Sequence, residues 1–167
     1  FNSKYRTDLN NINKDHNYGT VGAVAKDMNG NIVAGTSTGG LYNKEKGRIG
    51  DTPIVNISTF ADNKIGGVSL TGKGEYIMKH AIGYDIIARM KYKKISMDKA
   101  INELLPKLEK NNVGIIGIDA KSGITNMKFN TKRMFRGSVN NKISEKQSKI
   151  QMFSGKVDDD HINIQIW

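Results

Sequence analysis

The side chains able to do nucleophilic chemistry are few in this chain. Its 167 residues include no cysteine, so thiolate nucleophiles, disulfides and thiolate metal sites are excluded. The three histidines, His16, His80 and His161, are far apart. None has metal-ligand spacing or an obvious place in a Ser-His-Asp triad. No GxxxxGKS or GxxxxGKT phosphate loop occurs, so nucleotide binding has no support. An enzyme built from these residues needs a nucleophile whose base is not histidine. A threonine that becomes an N-terminus meets that need, because its own α-amine lies beside Oγ. With an ordinary pKa of about 8, that amine can accept the hydroxyl proton near neutral pH.

Thr20 has the right surroundings for such a role. A polar stretch precedes it, Gly19 is its neighbour, and it opens TVGAVAK, a run of small and β-branched residues. Three further clusters follow. TSTGG (36–40) ends the next run and can bring Thr36 and Thr38 near Thr20. GRIGD (47–51) puts a cation and an anion three residues apart, a pair suited to a zwitterion. There Arg48 would grip a carboxylate and Asp51 an ammonium. TGKGE (71–75) reads as a glycine-rich turn from strand to helix whose hydroxyl and N–H groups can line an oxyanion hole. Each cluster also has a plain reading. The glycine turns can be connections, Arg48 and Asp51 a surface ion pair worth little, and Thr36 and Thr38 strand formers. Their joint order favours chemistry.

The elements that must position these groups follow from pattern. Residues 1–18, rich in Asn, Asp and Lys, lack an apolar period and predict a flexible arm. Residues 20–26 and 31–38 predict a hairpin turning at Asn29-Gly30. Ala and Gly at positions usually larger leave room for a close approach. Residues 41–53 predict a loop. Strands are expected at 54–60 and 65–72, then helices at 74–91 and 97–110, the second capped by Ser96. A second hairpin is expected from 113–119 and 124–130. Strands, two helices, then strands predict an α+β fold with an antiparallel sheet. The polar tail after Gly137 predicts partial disorder or a short edge strand.

Composition sets the outer bounds. Hydrophobic residues at 37% suffice for a core, and the length suits one domain. The opening Phe1 leads us to expect a fragment or processed product. No apolar run approaches the roughly 20 residues of a membrane span, so no membrane partner is expected. The net charge of +10 suggests a polyanion partner. Against that, the basic residues are mostly Lys spread from Lys4 to Lys156, without an Arg-rich helix or aromatic platform, as on a solvated surface. No nucleic-acid partner is expected. A cysteine-free chain weakly favours the cytoplasm.

GTVGAVAKDMNGNIVAGTSTGG, GRIGDTPIV, FADN, TGKGE, FNT (129–131) and MFRG (134–137) together resemble the plant-type L-asparaginase and isoaspartyl peptidase family, threonine-type N-terminal nucleophile hydrolases. The resemblance covers about residues 18–137. It implies an αββα sandwich, cut from a precursor into α and β subunits that assemble as (αβ)2, a dimer of heterodimers. The cut would fall at Gly19–Thr20. Residues 1–19 would then be the α subunit's C-terminal tail, 20–137 the catalytic β-subunit domain and 138–167 a polar tail. By motif, Thr20 would be the nucleophile and Thr38 its orienting partner. Arg48 would hold the substrate α-carboxylate and Asp51 its α-ammonium. Thr71 and the Gly72 N–H would stabilise the oxyanion, with Gly74 shaping that loop. The implied substrates are L-asparagine and β-aspartyl dipeptides. No cofactor or metal is implied here; a structural monovalent cation would belong to the α-subunit part.

Some positions depart from the pattern. Lys73 stands where the family has a small or polar residue. Asn56, Ile57 and Ser58 replace a small, Gly-containing stretch, and Lys132-Arg133 interrupt an acidic-Gly pair. Alternatives are a glycosylasparaginase, for which TSTNG would be expected instead of TSTGG, and a protein-cleaving taspase-type relative, which has no need of Asp51. The non-enzyme alternatives are an inactive remnant and a basic binding module.

Overall fold

The computed structural model describes residues 19–41, 43–110, 112–131, 134–138 and 150–151. The arm expected over 1–18, Lys132-Arg133 and the closing HINIQIW lie outside the described residues. The first hairpin forms as its alternation predicts. Strands β1 (Thr20–Lys26) and β2 (Ile32–Thr38) pair antiparallel, from Thr20 opposite Thr38 to Lys26 opposite Ile32. Asp27 Oδ1 accepts the Asn31 N–H at 2.7 Å, and Gly30 turns the chain at φ +87°, where glycine has no Cβ penalty.

A four-stranded antiparallel sheet carries the hairpin. Its order is β3 (Thr59–Asp62), β4 (Gly66–Gly72), β5 (Val113–Asp119) and β6 (Thr125–Phe129). Helices α1 (Gly74–His80), α2 (Ile82–Lys93) and α3 (Met97–Leu104) link β4 to β5, which pair antiparallel. The fold is thus α+β with antiparallel sheets, as the element order implies. Val68, Leu70, Val113 and Ile115 pack with Ile77, Ile82, Ile86 and Ile101 on the helix side. Ile116 and Ile118 pack with Val24 and Ile32 of the hairpin on the other side. Central strands covered on both faces read as apolar runs. Burying each such aliphatic side chain contributes about 1.5–3 kcal/mol. A Cβ on Gly67 would lie 2.7 Å from Ile32 Cγ2, so the hairpin rests almost directly on the β4 backbone.

The structure corrects three expectations. Residues 54–58 do not continue β3 as a strand. Asn56 is left-handed at φ +67°, its N–H donates to the Thr59 carbonyl at 3.1 Å, and the Ile57 carbonyl accepts the Gly83 N–H at 2.9 Å. The segment therefore turns onto α2. The helix expected over 74–91 is two helices, divided at Ala81 with φ +45°, whose N–H donates to the Met78 carbonyl. The helix expected over 97–110 stops at Leu104, followed by a 3-10 turn over Leu105–Lys107. Pro106 there has no N–H to continue an α-helix. Ser96 is the expected cap: its Oγ accepts the Lys99 N–H at 3.3 Å. Past Gly137, β8 (Ile150–Gln151) pairs with β7 (Arg136–Gly137).

Alanine at position 83 tests the docking of residues 54–58. Helix propensity alone would make Gly83→Ala about 1 kcal/mol more stable. Its Cβ, however, would collide with the Ile57 carbonyl oxygen. We expect a net loss of about 2 kcal/mol in urea unfolding. A gain would contradict the docking.

Candidate functional site

Antiparallel register decides which side chains meet at the open end of the hairpin. Thr20 and Thr38 are opposed, so both share one face, with Gly22, Val24, Ile32, Ala34 and Thr36. Thr20 Oγ1 donates to Thr38 Oγ1 over a long 3.4 Å. Thr38 Oγ1 donates in turn to the Gly19 carbonyl at 2.8 Å and accepts the Gly40 N–H at 3.0 Å. One hydroxyl thus touches the candidate nucleophile and the carbonyl of the bond before it. Thr36 has a separate use. Its hydroxyl hydrogen-bonds to Ser69 at 2.6 Å and to Thr59, tying the hairpin to β4 and β3. A Cβ on Gly22 would collide with Ser69 Oγ, which is the close approach its small neighbours predict.

The charged pair is assembled from two loops and a helix start. Arg48 Nε donates to Glu75 Oε1 at 2.6 Å, with the Arg48 side chain 15% exposed. That hydrogen bond, with backbone bonding and the charges of Arg48 and Lys73, holds the Glu75 carboxyl below its ordinary range against the opposing effect of burial. Asp51 is buried, and its Oδ2 accepts a short hydrogen bond from Ser58 Oγ. Gly74 lets both motifs meet. A Cβ there would fall 2.5 Å from Asp51 Oδ1 and 3.3 Å from Arg48 Nη2.

These groups surround a cleft of about 450 Å³ whose wall includes Thr20, Thr38, Arg48, Asp51, Gly72 and Gly74. Gly19 also lines it. Thr71 does not belong to that wall. It sits on β4 opposite Gly114, on the hairpin side of the sheet, its Cγ2 2.9 Å from where a Gly114 Cβ would be. Gly72 follows it with φ +143° and no room for a Cβ beside the Asn112 carbonyl. Sequence reasoning passed over Glu75, Ser58 and Lys44. Glu75 had a signal, an acid in the first turn of a helix beginning at a motif. Ser58 had none, because residues 54–60 read as one strand. Lys44 lines the cleft, and its Nζ donates to the Gly39 carbonyl at 3.3 Å. Thr52 also lines the wall, its hydroxyl buried and without a hydrogen-bond partner among the described residues. Of the histidines, His80 stacks on Tyr76 in α1, centroids 4.4 Å apart, and His16 and His161 lie outside the described residues.

An antiparallel α+β domain with a threonine-lined cleft and an Arg/Asp pair in its wall is the class that fold and site define. The profile of the family described as Asparaginase matches residues 2–148. Its curated relatives agree. An isoaspartyl peptidase of Escherichia coli is 40% identical over 129 residues, covering 75% of this chain and 40% of that protein. An isoaspartyl peptidase/L-asparaginase of Bos taurus is 41% identical over 123 residues, covering 70% and 40%. One from Danio rerio reaches 57% over 76 residues, covering 46% and 24%. The chain belongs to the asparaginase family. It spans about two fifths of the length of the first two of these relatives.

The Arg48–Glu75 contact makes a prediction about pH. Because the folded carboxyl titrates below its unfolded value, the contact stabilises the site above the ordinary glutamate range. That contribution fades as pH falls through the lowered midpoint. Carbon-13 NMR should find the Glu75 midpoint below the ordinary value, and nearer to it in Arg48→Ala. An ordinary or raised midpoint in the unaltered protein would contradict the contact.

Proposed function

We propose that the protein to which this chain belongs hydrolyses the side-chain amide of L-asparagine and the β-linkage of isoaspartyl dipeptides, with Thr20 as nucleophile. The supporting observation is the Thr38 hydroxyl, which bridges Thr20 Oγ1 and the Gly19 carbonyl. In the uncut chain Thr20 Oγ attacks the Gly19 carbonyl carbon. The Thr38 hydroxyl polarises that carbonyl, the C–N bond breaks, and the Thr20 nitrogen leaves as an amine. Water hydrolyses the resulting ester, giving a Gly19 carboxylate and a free Thr20. The same residue then carries attacking hydroxyl and proton acceptor.

For the substrate, Arg48 takes the α-carboxylate and Asp51 the α-ammonium. This directs the β-carbonyl toward Thr20. Thr20 Oγ forms an aspartyl ester there, its amine relays the proton to the departing ammonia or amino acid, and water regenerates Thr20. The Gly72 N–H and the Thr71 hydroxyl serve the oxyanion. Thr71 stands on the hairpin side of β4, opposite Gly114, with Gly72 next to it at the strand's end. Losing one oxyanion donor costs about 3 kcal/mol of transition-state stabilisation. The names of the relatives, isoaspartyl peptidase and isoaspartyl peptidase/L-asparaginase, support this substrate class.

The same reading extends to architecture. The outward face of the hairpin exposes Val21 at 47% and Val33 at 64%, beside Ala23 and Ala25. An apolar face of that kind favours a covering layer, which in an αββα sandwich the α subunit would supply. The domain limits 20–137 and the (αβ)2 assembly belong to this proposal.

The test uses the full-length protein with L-asparagine and β-Asp-Leu. Both should be hydrolysed, and Thr20→Ala should lose at least about a thousandfold in rate. Activity surviving in Thr20→Ala would remove this mechanism. Salt-sensitive retention on nucleic acid without hydrolysis would favour a basic binding module.

A further inference from the structure

Ser58 is fully buried, and its hydroxyl bonds to the one carboxylate that lines the cleft among the described residues. We infer that Ser58 is the positioning residue of the ammonium site, holding Asp51 so that Oδ1 is presented to the ligand. This rests on the proposed role of Asp51.

Three observations support it. First, the two carboxylate oxygens have different surroundings. Ser58 Oγ donates to Oδ2, whereas Oδ1 lies where Gly74 has no Cβ, at the edge of the cleft that Gly74 and Asp51 both line. Ser58 holds one oxygen, and the other is left on the Gly74 side of the carboxylate.

Second, Ser58 is anchored to elements outside the 41–53 loop that carries Asp51. The Ser58 carbonyl accepts the Leu70 N–H of β4 at 2.8 Å, and the adjacent Ile57 carbonyl accepts the Gly83 N–H of α2 at 2.9 Å. The hydroxyl therefore couples a loop carboxylate to the sheet and helix layer. A carboxylate held in one rotamer loses less freedom on binding.

Third, the contact has a counterpart at the cation of the same wall, where Glu75 holds Arg48. The two halves of the zwitterion clamp are each fixed from behind, by different elements.

The inference concerns ammonium recognition alone, so its signature is selective. In the full-length protein, Ser58→Ala should raise KM for L-asparagine about tenfold with kcat within twofold, the loss expected for one hydrogen bond to a charged group. Calorimetry should show L-aspartate binding weakened by the same factor and succinate, which lacks the ammonium, unchanged. If Ser58→Ala does not fold, Ser58→Cys, similar in size with a weaker donor, should show a smaller shift confined to L-aspartate. Equal effects on L-aspartate and succinate, or none on either, would overturn the inference. A wild-type protein that turns over neither substrate, yet binds L-aspartate more tightly than its Ser58→Ala variant, would sink the hydrolase proposal while leaving the inference standing. Failure to bind L-aspartate at all would end both.

Discussion

The pairing of Thr20 with Thr38 across two antiparallel strands is the constraint on which the site depends. Side chains alternate along a strand, so a slip of one residue would turn both hydroxyls to the outer face. The register is held at several levels. Val24 and Ile32 are buried against the central sheet, Thr36 is bonded to Ser69, and Asp27 closes the turn on Asn31. Moving the pairing by one residue would expose the apolar pair and break the hydroxyl tie together. The cost of error at the distant turn and in the core is what fixes the geometry at the open end.

A second constraint is the meeting of two loops at a residue without a side chain. GRIGD and TGKGE are more than twenty residues apart in sequence, yet Arg48 and Asp51 both abut Gly74. Each charge is also secured by a neighbour, Arg48 by Glu75 and Asp51 by Ser58. Side chains held in place by such neighbours have little freedom left to lose. The hairpin supplies the hydroxyls and the loops supply the charges, and neither set is local to one element.

Much of this was legible in sequence, for identifiable reasons. The hairpin followed from strict alternation broken by Asn29-Gly30, and the inner strands from short apolar runs. The ordered motifs pointed to the groups that line the cleft. Some of what escaped had a local sign, as Glu75 in a first turn and Pro106 at a helix end did, and the rest had none. Ala81 adopts a left-handed conformation that alanine does not announce, so two helices read as one. Residues 54–58 have strand-like composition, and only the hydrogen bond from Gly83 to Ile57 shows that they turn away. Ser58 matters through a contact seven residues back, which no period encodes. Thr71 shares a motif with Gly72 and Gly74, and the alternation of β4 puts it on the side of the sheet that carries the hairpin.

The central claim is that hydroxyl and amine act from a single residue, which requires the bond before Thr20 to open. N-terminal sequencing and intact mass of the purified, catalytically active full-length protein examine this without assuming any substrate role for its neighbours. The account predicts two polypeptides, one ending at Gly19 and the other beginning at Thr20. An uncut chain with undiminished amide hydrolysis, or a new terminus at any other residue, would contradict it.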